Sequence, residues 1–292
     1  MRTLAGVLLV VLVFCSISFG GVMHAACRAG DVQKVRELLR AEPKLANDAA
    51  GLGRFPLHEA VAGNHADVVV LLIDAGAEID VRTTLELPPR RGLTPLHMAV
   101  IERDRAIITV LLNAKADINA LGSKTWSSAE YTPLHYASAR QDVVLIQSLL
   151  SRDADVLTVG SNHRTALHSV LMDAPAVAKD LAVRRQTIML LDAGVGVNQA
   201  ESASGWTALH EAAERNWLGV TNDLLRFGAD ASLKDKLGMT SRQVALRLGH
   251  TQIANRLQQA ERAGPARAPA TRPTTAPTAA PTASPTTQPA SE

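Results

Sequence analysis

The chain has 292 residues, of which 47% are hydrophobic and only 3% aromatic, and its formal charge is +2. That size and content suit one or two globular domains, and a core rich in Ala and Leu rather than in rings favours closely packed helices. One unit of charge is Arg2 and one net unit comes from Arg267 and Arg272 against Glu292, so residues 21–263 are balanced and offer no basic face for nucleic acid.

The first residues, MRTLAGVLLVVLVFCSISFG, read as an export signal: Arg2 is a short positive region, Leu4 to Phe14 is apolar, and Ser18-Phe19-Gly20 has the small-x-small form of a cleavage site. A cut near Gly20 is expected; the alternative is an uncleaved anchor, since the weakly polar stretch to Val22 is just long enough to span a bilayer. Phe14 stands where a lipoprotein box before Cys15 needs a small residue. Cleavage removes Cys15, which leaves Cys27 alone and no internal disulfide.

From Val22 onward the chain is periodic. His24, His58, His97, His135, His168 and His210 are spaced by 34, 39, 38, 33 and 42 residues. A leucine pair or its equivalent follows each: Leu38-Leu39, Leu72-Ile73, Leu111-Leu112, Leu149-Leu150, Leu190-Leu191 and Leu224-Leu225. The fifth pair comes late, which locates an insertion at Met172 to Val183. AGAEID (Ala75 to Asp80), AKADIN (Ala114 to Asn119), RDADV (Arg152 to Val156), AGVGVN (Ala193 to Asn198) and FGADAS (Phe227 to Ser232) close successive units.

The unit from Thr94 to Asp117 shows what the pattern encodes. Thr94 caps a helix with Pro95 in its first turn, and this short helix runs to about Glu102. A second helix follows, with Ile107, Ile108, Leu111 and Leu112 on one face, and the segment after it ends the helix through a residue tolerant of left-handed backbone. Neither helix can bury its apolar face alone, so the units must stack.

These landmarks, from TPLHMA at Thr94 to Ala99 through the leucine pair to the G-A-D segment, resemble the ankyrin repeat family over about Val22 to Gln259. The resemblance implies an all-α solenoid of stacked helix-turn-helix units with short β-hairpin fingers. There are about seven repeats, counting a degenerate first (His24 to Pro43) and last (Thr240 to Ala260), where Gln243 replaces the histidine. The domain limits are then 1–20 for the signal, 21–263 for the repeats and 264–292 for a tail with proline about every fourth residue, which can form neither helix nor core.

The resemblance assigns the recurring histidine a hydrogen bond to backbone or threonine oxygen at the helix start. Phe55 replaces that threonine in the second unit, so His58 needs another partner. A metal role fails on geometry: equivalent histidines lie about 8–10 Å apart on helix packing, and HEAVA and HEAAE lack the second histidine of H-E-x-x-H. No cofactor motif is present, and Cys27 reads as a small buried residue. A hydrolase site beside the insertion near His168 is the enzymatic alternative to an otherwise non-enzymatic protein.

In the resembling family, finger tips and the exposed side of the first helices form a concave surface for a protein partner. Here those positions are Arg54, Leu93, Tyr131, Arg164 and Trp206 before the cap, and Glu59, Met98, Tyr136 and Glu211 after the histidine. Insertions at Val81 to Gly92 and Ala120 to Tyr131 lengthen two adjacent fingers and add Arg90, Arg91, Lys124 and Trp126, with aromatic and arginine side chains the types favoured at interfaces. The expectation is a monomeric, exported bacterial scaffold in the periplasm or beyond, binding a protein partner and touching a membrane only if the N-terminal segment is retained.

Overall fold

The computed structural model describes residues 20–49, 53–84, 92–124, 129–175 and 180–266, excepting the side chains of residues 123, 124, 129 and 182. The expected signal at 1–20, apart from Gly20, most of the tail, and the contact candidates Arg90, Arg91 and Trp126 lie outside these residues, as does the side chain of Lys124.

Among the described residues the chain forms seven helix pairs. They are α1 (20–29) with α2 (Val32–Ala41), α3 (Pro56–Ala62) with α4 (Ala66–Asp74), and α5 (Pro95–Glu102) with α6 (Arg105–Asn113). Then come α7 (Pro133–Ala139) with α8 (Val143–Leu150), α9 (Ala166–Met172) with α10 (Asp180–Asp192), α11 (Ala208–Glu214) with α12 (Leu218–Arg226), and α13 (Ser241–Arg247) with α14 (Thr251–Ala263). First helices pack in a row, α3 on α5, α5 on α7, and so on to α13; α2 and α4, α4 and α6, α10 and α12, and α12 and α14 pack likewise in a second row. One apolar cluster runs from Met23 to Leu257, as stacking requires.

Local chemistry explains each boundary. Thr94, Thr132 and Thr165 cap α5, α7 and α9, and Pro56, Pro95 and Pro133 fill first-turn positions where the missing N–H is not needed. Second helices α2, α6 and α8 are capped by Asp31, Asp104 and Asp142, whose carboxylates accept from Lys34, Ile107 and Leu145 N–H at 2.9–3.0 Å. Helix α6 then buries Ile107, Ile108 and Leu111 and leaves Arg105 and Thr109 in solvent.

Every second helix from α4 to α12 is left through a residue with positive φ: Gly76 (85°), Lys115 (71°), Asp153 (62°), Gly194 (94°) and Gly228 (88°). The left-handed region costs a residue with Cβ about 1–2 kcal/mol. Lys115→Gly is therefore expected to stabilise the fold by about 0.5–1 kcal/mol, read as a raised urea midpoint with unchanged slope; a lowered midpoint contradicts it.

Of the two insertions between repeats, the second forms a hairpin, with β1 (Gly122–Lys124) antiparallel to β2 (Ala129–Tyr131) and Gly122 opposite Tyr131. Gly122 is required there: a Cβ would lie 2.8 Å from the His97 ring. The first is closed at its base by Thr83 N–H to Leu93 O (3.0 Å) and Gly92 N–H to Thr83 O (2.7 Å). The third insertion, at Met172 to Val183, braces the next unit, a role not evident from its sequence. The Asp180 carboxylate accepts from Val220 N–H (2.9 Å) at the start of α12, and Arg184 Nε donates to Asp223 (2.6 Å).

Candidate partner-binding surface

The histidines form a line of clamps. In His58, His97, His135, His168 and His210, Nδ1 accepts from the backbone N–H three residues earlier at 3.2–3.3 Å. Nε2 must then carry the proton, and it donates to a carbonyl of the next unit: Leu93 (3.0 Å), Tyr131 (2.9 Å), Arg164 (3.0 Å), Trp206 (3.3 Å) and Met239 (3.1 Å). His24 Nε2 lies 3.0 Å from Arg54 O of the next unit, but its Nδ1 faces the Gly20 carbonyl (2.8 Å) instead of a capping N–H. His58 manages without a threonine because Phe55 N–H supplies the intra-unit bond. Gln243 in the seventh unit keeps that bond, Thr240 N–H to Oε1 at 2.8 Å.

Burial holds the rings of His58, His97, His168 and His210 neutral. It pushes His58 and His97 down to about 4, against the weaker opposing pull of their carbonyl bonds to Leu93 and Tyr131, and lowers His168 and His210 for the same reason. Both nitrogens of His168 are engaged, with Thr165 Oγ1 (2.9 Å) and Trp206 O, and the ring is buried. Cys27 is also buried, which pushes its thiol up to about 12, as suits a packing residue.

A second line of clamps joins the fingers: Asn47 bonds Gly76 O and Glu78 N–H, Asn119 bonds Asp155 N–H, and Asn198 bonds Gly228 O and Asp230 N–H, all at 2.7–3.1 Å.

The positions expected to meet a partner divide sharply. Leu93, Met98, Tyr131 and Tyr136 are buried, which corrects the expectation that they are open to a partner: each unit is covered by a neighbour on both sides, and the Tyr131 and Tyr136 rings pack edge to face on each other and on His135 and His97. Glu59 is buried as well and is ion-paired to Arg28 (3.1 Å) and Arg54 (3.4 Å). Arg164 is half-buried and holds Glu201 (3.3 Å). Trp206 and Glu211 are brought together in a cleft of about 310 Å³ with Met172, Glu201, Ser204, Glu214 and Arg215. Trp206 lies over His210 and donates from Nε1 to Asp235 (3.2 Å).

Glu201 and Glu214 share no motif with Glu211, so nothing in the sequence announces that the fold brings them to the same cleft. The same holds for the exposed apolar residues of the later fingers, Leu157 (65% exposed), Val159 (38%) and Leu237 (77%), which occupy positions where the repeat pattern sets no requirement.

Glu211 is pushed up to about 7, first by burial and then by Glu214 and Glu201, against the opposing charges of Arg215 and Arg164. The fold keeps its proton to higher pH than the unfolded chain does, so ionisation destabilises the fold progressively as pH rises from about 4.5 to 7. Glu211→Gln is expected to raise stability at pH 8 by up to about 3 kcal/mol, with the gain shrinking toward pH 5; urea titrations at the two pH values check it, and a gain independent of pH contradicts it.

Among the described residues no helix is long and apolar enough to cross a membrane, and no group of three or more His, Cys, Asp or Glu is placed to hold a metal ion.

Comparison with known proteins agrees with the architecture. The family model Ankyrin repeats (3 copies) matches residues 22–122, and the model Ankyrin repeat matches 130–161 and 204–236; the stretch between these last two holds the unit with the bracing insertion. The human ankyrin repeat and SOCS box protein 16 is 32% identical over 76% of this chain and 46% of its own length. The chicken nuclear factor NF-kappa-B p105 subunit is 28% identical over 77% of this chain and 22% of its own. The chain thus spans less than half the length of these curated relatives. Among solved structures, the ankyrin repeat domain of Bcl-3 superposes with a TM-score of 0.63 at 27% identity, covering 80% of this chain and 97% of that one. Seven stacked helix pairs among the described residues, the cap-and-clamp histidine in five of them, and these matches together make the chain a member of the ankyrin repeat family.

Proposed function

We propose that this protein is an exported scaffold that binds a protein partner through its fingers and the adjoining ends of its first helices. The observation that carries this reading is the contrast between a closed framework and open tips. Histidine and asparagine clamps occupy the polar groups that recur with the period, whereas Leu157, Val159 and Leu237 hold apolar side chains in solvent on fingers that the stack does not need them to fill. Exposed apolar surface on a rigid support is what a partner-binding face provides. The ankyrin family as a whole supports an interaction scaffold, and the apolar run at Leu4 to Phe14 supports export.

The test is affinity capture from the native cell envelope with the chain from Gly21 onward, beside a Leu157→Ser/Val159→Ser/Leu237→Ser version whose core is untouched. A discrete partner should be retained by the first and lost, by tenfold or more, from the second. Equal retention moves the interface away from the fingers, and capture of nothing by either contradicts the scaffold reading. N-terminal sequencing of the native protein should begin at Gly21; a retained Met1 favours the membrane-anchored form.

A further inference from the structure

We propose that the cleft between α9, α11 and the 201–206 finger receives an arginine side chain of the partner, with Glu211 as the carboxylate that binds its guanidinium. This deepens the scaffold reading and rests on it. Glu211 is only 3% exposed and lines the cleft, yet among the described residues its carboxylate has no hydrogen bond or ion pair. A buried carboxylate without a partner is costly, and a cation is what satisfies it.

The stack itself shows which cation fits. Glu59 occupies the same place in the second unit, directly after the histidine, and is buried to the same degree (6% exposed). It accepts from two guanidiniums: Arg28, four residues after the preceding unit's histidine, and Arg54, four residues before its own. The same two positions around Glu211 are Met172 and Trp206, and both line the cleft. Where the second unit carries its own arginines, the sixth has a thioether and an indole around an open space, surfaces suited to the stem and planar head of an incoming arginine.

Among the described residues, the cations beside the cleft are already engaged. Arg164 is bound to Glu201 (3.3 Å) and to the Tyr131 hydroxyl (3.5 Å). Arg215 donates to Ala174 O (3.0 Å) and Met172 O (2.7 Å) and lies over the Trp217 ring, 5.4 Å from its centroid. On α13, packed against α11, Arg242 is paired with Glu261 (3.3 Å). Glu201 and Glu214 line the same cleft and add negative charge, and Asp235 is held by the Trp206 indole.

The experiment uses the chain from Gly21 onward at pH 8 and two probes, acetyl-Gly-Arg-Gly-amide and its neutral isostere with citrulline, followed by calorimetry and by the ¹³Cδ resonance of Glu211. The arginine peptide should bind at least tenfold more tightly than the citrulline peptide and shift the Glu211 resonance. Glu211→Gln should abolish that preference, and so should Met172→Arg, which supplies in cis the guanidinium that Arg28 gives to Glu59. Glu78→Gln, which removes one exposed negative charge from a different finger, should leave binding unchanged. Equal binding of both peptides, or an undiminished preference in either cleft variant, overturns the proposal. It does so without touching the scaffold reading, whose apolar finger-tip variants leave every cleft residue in place and are read by capture alone.

Discussion

Lowering the pH from 7 to 4 should unfold the repeat stack. His58 and His97 are held neutral down to about 4 in the fold but take up protons near 6.5 in the unfolded chain. The unfolded state therefore binds more protons throughout this window, so stability is full above about pH 6.5 and is lost as pH falls toward 4. Each of these two rings contributes about 3 kcal/mol to that loss, and His168 and His210 act in the same direction. The sum is comparable with the whole stability of a typical domain, about 5–15 kcal/mol. Glu211 works in the opposite sense between about 4.5 and 7 and offsets only part of it. Circular dichroism against pH checks the window. A chain still folded at pH 4 would contradict the clamp account, because protonating Nδ1 must break the bond from the capping backbone.

The second large effect is expected from Leu111→Ala. Leu111 is fully buried on α6, in the middle of the continuous cluster, and removing three carbons there leaves a cavity that neighbouring units close only in part. The cost should be about 2–5 kcal/mol. In a stack where each unit contacts only its neighbours, that loss is regional. Hydrogen exchange should show α5 to α8 opening more readily while α11 to α14 keep their protection. Equal loss of protection at both ends would mean that the solenoid behaves as a single cooperative unit.

The fold was legible because its determinants are local. Thr94, Pro95 and His97 cap and start a helix within four residues, and the leucine pair declares the buried face of the next helix from its own spacing. The histidine's bond at the helix start was expected from the family resemblance, though there the ring accepts from a backbone N–H as well as meeting the threonine hydroxyl. Its second bond was not, since the acceptors at Leu93, Tyr131 and Arg164 are backbone carbonyls that no side chain announces. Nor was the burial of Met98 and Tyr136, which depends on units some thirty-odd residues away closing over both sides of each first helix.

The clearest case is the pair HEAVA and HEAAE. Locally Glu59 and Glu211 look alike, yet one is neutralised and the other is not, because the deciding residues, Arg28 and Met172, belong to the preceding unit. The bracing helix α10 was opaque for a related reason: Asp180 finds its partner at Val220, in the following repeat. Sequence periodicity identifies the framework, but a departure from it acquires meaning only when the neighbouring unit is in place.

The most direct test of the interaction-scaffold reading is photo-crosslinking in the native cell envelope from a benzophenone side chain placed at one of three exposed positions: Leu157 or Leu237 on the fingers, or Val144 (53% exposed) on second helix α8. A discrete protein adduct formed from the two finger positions and absent from Val144 is the expected result. Adducts from Val144 alone, or none from any position, would contradict a partner-binding surface on the fingers.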